Sequence, residues 1–149
     1  MHYHDLATYQ YNLPAKLKGV LTVGWLEKGT AFPFGDVSPR FLERLLGLIV
    51  HKRVNVMRGL HYCDFCSEEE VRVEADGERD VLGHAEVWVP SVDGATIFAA
   101  PTLIYHYITN HQYLPPKPFL EAVERFDATS TWDGQDSRNR LVSALFAQK

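Results

Sequence analysis

Residues 85–111, AEVWVPSVDGATIFAAPTLIYHYITNH, change their period halfway along, and that change decides the fold class. Residues 85–89 alternate as a strand does, Asp93-Gly94 is a turn signal, and residues 95–99 read as a second strand. From Pro101 the spacing lengthens. Leu103, Ile104, Tyr107 and Ile108 share one face of a predicted helix, with His106 at the edge of that stripe and His111 aligned with it. Pro115 and Pro116 end this helix.

Working back toward the N-terminus, residues 71–75 alternate again before the turn signal Asp76-Gly77, which suggests an antiparallel meander of three or four strands. Residues 54–62 read as a further strand. Residues 20–26, VLTVGWL, read as a buried one, with Gly24 marking a close backbone approach or a bulge. Ser38 before Pro39 is a cap followed by a proline suited to the first helical turn. Phe41, Leu42, Leu45, Leu46, Leu48 and Ile49 continue as the apolar stripe of a helix over residues 39–51. Toward the C-terminus, Pro118 opens a helix with Phe119, Leu120, Val123 and Phe126 on its core face, and residues 136–147 form a last helix that docks Leu141, Val142, Leu145 and Phe146. Residues 1–19 read as an irregular arm, 127–135 as a polar linker, and Glu68-Glu69-Glu70 as a solvated loop. The expectation is a single α+β domain over residues 1–149, a small mainly antiparallel sheet packed by three to four helices.

Both cysteines of the chain fall in residues 58–66, RGLHYCDFC. A Cys-x-x-Cys turn brings two thiolates to one small volume, and on an extended segment His61 and Cys63 project to the same side. Zinc takes four nitrogen and sulfur ligands in a tetrahedron, so the expected centre is a structural zinc ion on His61, Cys63, Cys66 and one histidine of the helix after Pro101. His106 is the first choice for that fourth position and His111 the alternative. His2 and His4 alternate as ligands do, but they lie in a terminal arm and read as a partly docked polar terminus.

Catalytic readings find less support. The His-x-Glu and Cys-x-x-Cys elements of zinc deaminases occur in the wrong order, since His84-Ala85-Glu86 follows the cysteines. Asp64 and Glu86 are carboxylates that would serve as general base beside an open metal, yet neither has a motif spacing. A thiol nucleophile is disfavoured by Asp64 and the acids after Cys66, which raise thiol pKa values. There is no glycine-rich phosphate loop, no Gly-x-Ser-x-Gly elbow and no His-Glu-x-x-His helix.

A net charge of −4 and a pI of about 5.9 argue against nucleic acid as the partner. No apolar run is long enough to cross a bilayer, and residues 1–13 do not read as an export signal, so a cytoplasmic setting is expected. In that reducing compartment a lone Cys-x-x-Cys pair favours metal binding or redox chemistry over a disulfide.

The segments GWL (24–26), FPFG (32–35), RGLHYCDFC (58–66), AAPTLIYHY (99–107) and LPPKPFLEAV (114–123) together resemble a family of small, functionally uncharacterised bacterial proteins. The resemblance spans about residues 3–126 and implies a bacterial cytoplasmic setting. The expected role is binding of another protein, as an immunity protein does, with Tyr3, Tyr9, Tyr11 and Trp132 as exposed contact residues. The rival is a small metal-dependent or thiol-dependent enzyme.

Overall fold

In the computed structural model, which describes residues 2–67 and 70–147, the predicted strand pair of residues 85–99 is a hairpin. Strands β4 (Glu86–Pro90) and β5 (Ile97–Pro101) pair antiparallel with Trp88 opposite Ala99. Their connection is tied by Asp93, whose Oδ1 accepts from Ala95 N at 2.9 Å and Ser91 Oγ at 2.7 Å, and Gly94 supplies the positive φ of 73°. On its other edge β5 takes β1 (Val20–Thr22) in parallel register, giving the order β1-β5-β4. This sheet is covered on both faces. Val87, Val89, Phe98 and Ala100 point into one apolar cluster while Trp88 and Ala99 point into another, as the strand period of two requires.

The first cluster lies under three helices. Helix α1 (Pro39–His51) starts at Ser38, whose Oγ accepts from Phe41 N at 3.1 Å, and it buries Phe41, Leu45, Leu48, Ile49 and Val50. The same Ser38 hydroxyl donates to Glu124 Oε1 at 2.6 Å, linking α1 to α3 (Lys117–Arg125), which buries Phe119, Ala122 and Val123. Helix α2 (Ile104–His111) begins three residues later than expected because Pro101 is still the last residue of β5. Helix α4 (Gly134–Ala147) covers the second cluster with half-buried Leu141, Val142 and Leu145, whereas Phe146, expected to dock, is 48% exposed.

Three expectations are corrected. The meander is divided into two sheets: β2 (Arg72–Ala75) and β3 (Glu78–Val81) form their own hairpin around Asp76 and Gly77, at φ 51° and 80°, and the chain then turns away at Gly83, φ 110°. Residues 54–62 are not a strand. Only Val54 pairs, in a bridge to Glu86, because Asn55 at φ 52° redirects the chain, and the rest is tied irregularly by Met57 N to His84 O at 2.7 Å and His61 N to Gly83 O at 2.8 Å. Tyr9 and Tyr11 of the N-terminal arm, expected to be exposed, are core. Tyr9 is 0% and Tyr11 3% exposed because the arm covers the second face of the sheet, and Tyr3 of the arm and Trp132 of the 127–135 segment are half-buried. The exposed large side chains are instead Phe34, Val56 and Tyr62, among others. Glu68 and Glu69 of the acidic run lie outside the described residues, as do Met1, Gln148 and Lys149.

Candidate metal centre

Cys63 is buried and Cys66 half-buried on a tight turn whose two middle residues are Asp64 and Phe65. The turn is held locally by Phe65 N, which donates to Cys63 Sγ at 3.4 Å. Phe65 is also the wedge that seats the turn on α2. Its ring meets Tyr107 edge-on at 5.9 Å, Phe32 at 5.4 Å, and tilts over His111 at 5.5 Å. His106, 1% exposed, sits in the first turn of α2, and His111 is its last residue, half-buried just before Gln112 takes the left-handed conformation that ends the helix.

The result is a four-donor cluster. One ligand atom from each of Cys63, Cys66, His106 and His111 lies within 4.8 Å of all the others. Cys63 Sγ is 3.4 Å from His111 Nε2, Cys66 Sγ is 3.3 Å from His106 Nε2, and the two imidazoles meet edge-on at 5.1 Å. Zinc bonds of about 2.3 Å to sulfur and about 2.0 Å to nitrogen, at the tetrahedral angle, require sulfur–nitrogen edges of about 3.5 Å. The two sulfur–nitrogen distances are close to that edge, and the four donors are near enough to hold a metal ion. Burial and the neighbouring Cys66 push the Cys63 thiol up to about 11. A thiol held that high is protonated at neutral pH and is not an activated nucleophile, although a bound divalent cation would displace its proton.

The structure brings Cys63, Cys66 and His106 together as the sequence suggests, and it places both helix histidines with them. His61 is not in the cluster. Its exposed ring has Nε2 2.8 Å from the Tyr11 hydroxyl, because the irregular path after Asn55 breaks the strand alternation that would have aligned it with Cys63. The signal for His111 was present in the spacing: Cys63-x₂-Cys66 and His106-x₄-His111 both match zinc-ligand intervals. His2 and His4 stack edge-on at 5.0 Å in the arm, and His2 Nδ1 is 2.8 Å from Trp25 O.

The two carboxylates considered as bases are in different places. Glu86 is enclosed on the opposite face of the sheet, its oxygens 2.9 Å from the Tyr9 hydroxyl, 2.9 Å from Trp88 Nε1 and 2.7 Å from Asn55 Nδ2. Burial raises its pKa, with those donors and the Arg138 guanidinium pulling partly back. Asp64 is exposed, at the rim of a cleft of about 310 Å³ that runs beside the cluster and is also walled by Tyr11, Trp25, Met57, His61, Tyr62 and Tyr107. Tyr107 joins cleft to cluster. Burial raises its phenol pKa, and negative charge on Cys63, Asp64 and Cys66 raises it further.

Among the described residues no helix is long and apolar enough to cross a membrane. No curated protein and no solved structure matches the chain. The model of one domain family, described as a domain of unknown function, matches residues 1–124, a span that holds all four clustered donors and all of the secondary structure before α4 except the last residue of α3. The chain thus belongs to the family DUF7919, a domain of unknown function.

Proposed function

We propose that this chain is a small protein-binding domain, immunity-like in scale, whose fold is closed by one structural zinc ion on Cys63, Cys66, His106 and His111. The observation that carries the reading is the convergence of two thiols and two imidazoles within 4.8 Å of one another. Four protein donors complete the tetrahedron and leave no position for an activated water, which favours a structural over a catalytic ion. Neither carboxylate is arranged as a base for such a water: Glu86 is buried among its own donors, and Asp64 is exposed. Reduced cysteines in a metal site suit a reducing compartment, so a cytoplasmic setting is part of the proposal.

The binding half of the reading rests on the segment that the metal turn anchors. Val56 and Tyr62 are 60% and 55% exposed on it, and Tyr62 also lines the cleft. The test has two arms. Elemental analysis of protein purified without chelators is expected to give one zinc per chain, and metal-free protein would overturn the structural reading. A photo-crosslinking residue at position 62, introduced in the native host, is expected to capture one reproducible partner that the same residue at Val92 does not. Identical capture patterns at both positions would overturn the binding reading.

A further inference from the structure

The cleft beside the metal centre carries more information than its volume. Its walls present four aromatic rings, those of Tyr11, Trp25, Tyr62 and Tyr107, together with the Met57 thioether, and its fixed charge is the Asp64 carboxylate. No lysine or arginine is among the lining residues. The polar tip of Tyr11 is already turned into the wall, 2.8 Å from His61 Nε2 and 3.7 Å from Met57 Sδ, so its hydroxyl is engaged before a ligand arrives. A zinc ion with two thiolates and two neutral imidazoles is uncharged overall, which leaves Asp64 as the charge that an incoming group meets.

We propose that this cleft binds an organic ammonium group, held over the aromatic rings and against the Asp64 carboxylate. Aromatic faces attract cations through the ring quadrupole, most strongly when the ammonium carbons displace water from the walls. A cleft of about 310 Å³ lies at the small end of the range for ligand sites and suits a compact cationic head with a short chain. The walls include residues of the N-terminal arm, those after β1, the cysteine turn and α2, and Phe65 seats that turn against Tyr107. An anion would face the Asp64 carboxylate with no lysine or arginine among the lining residues to compensate it. The inference deepens the binding reading above and rests on it: the ammonium is that of a partner's lysine side chain or of a free small amine, one chemistry from two sources.

Isothermal titration of the purified full chain tests it with three probes: choline, its uncharged isostere 3,3-dimethyl-1-butanol, and N-acetyl-lysine methylamide. Saturable binding of a cation is expected, with the neutral isostere at least about tenfold weaker than choline. The tighter of the two cations identifies the source, the lysine derivative pointing to a protein partner and choline to a free amine. Tyr62→Ala and Asp64→Asn are each expected to weaken the preferred cation about fivefold or more while zinc content stays at the parent level. Equal binding of choline and its neutral isostere would overturn the proposal. So would the absence of saturable binding by either cation to protein that retains its zinc and its position-62 crosslink, and that result would leave the domain reading intact.

Discussion

Cys66 Sγ lies 3.3 Å from His106 Nε2, a residue 40 positions away in sequence, and Cys63 Sγ lies 3.4 Å from His111 Nε2, 48 positions away. Two separate short-range pairs, a cysteine turn and a helix, are thus joined at one point. A metal ion bound there would staple the irregular 55–66 segment to α2, and its binding free energy would count toward folding. Cys63→Ser and His111→Ala are each expected to abolish stoichiometric zinc and to lower the melting temperature by about 10 °C, the shift that a loss of about 3 kcal/mol produces in a chain of this size. His61→Ala is expected to keep its zinc. Zinc loss in His61→Ala with retention in His111→Ala would put His61 in the donor set in place of His111.

The periodicity of residues 85–111, the Ser38 cap and the proline-started helices were legible in the sequence because each is a local property of a few neighbours. The division into two sheets was not, because it depends on the φ of 110° at Gly83, and a lone glycine does not disclose its own dihedral. The same limit applied at Asn55, whose left-handed turn moved His61 away from the cysteines. The arm was misjudged for a different reason. Tyr9 is buried through a contact with Glu86, 77 residues away, and no local pattern distinguishes such a docked tyrosine from an exposed one.

Gly83, in the link between β3 and β4, is where the segment before the cysteines packs against the rest of the chain. A Cβ there would run into the backbone carbonyl oxygen of His61, a residue tied to Gly83 because its N donates to Gly83 O at 2.8 Å. The φ of 110° is a region that side chains other than glycine rarely adopt. Gly83→Ala is therefore expected to destabilise the protein by about 3 kcal/mol through strain and overpacking together. Urea unfolding measures it, and a change below about 0.5 kcal/mol would show that the 57–63 segment yields freely.

Asp80 presents a second test. Its side chain is 4% exposed, and its Oδ1 takes Arg53 Nη1 at 2.9 Å, His84 Nε2 at 3.0 Å and Val81 N at 2.9 Å, while Oδ2 has no partner among the described residues. Removing Arg53 leaves a buried carboxylate with less compensation. Arg53→Ala is expected to cost about 1–2 kcal/mol, less than for a fully enclosed pair because the arginine is partly in solvent. Asp80→Asn in that background should recover part of the loss, and a double-mutant cycle by urea unfolding reads the coupling directly. Strict additivity would mean that Arg53 and Asp80 do not depend on each other.

Glu86 gives the fold a pH dependence of defined sign. It is enclosed by Tyr9, Trp88 and Asn55, with Arg138 nearby, and burial raises its carboxyl above the ordinary 4.5 despite those partners. The folded protein then holds this proton more tightly than the unfolded chain does. Above pH 4.5 the folded state binds more protons at this site than the unfolded state, so stability from Glu86 is full below that pH and is lost as pH rises through the folded-state pKa, at a slope of at most about 1.4 kcal/mol per pH unit. Glu86→Gln removes the titrating group while keeping its size. The wild type is expected to lose stability relative to this variant as pH is raised from 4.5 toward neutrality, measured as the difference in urea unfolding free energy at each pH. A difference that stays constant over that range would mean that the hydrogen bonds from Tyr9, Trp88 and Asn55 fully offset burial, and that the carboxylate is held ionised in the core.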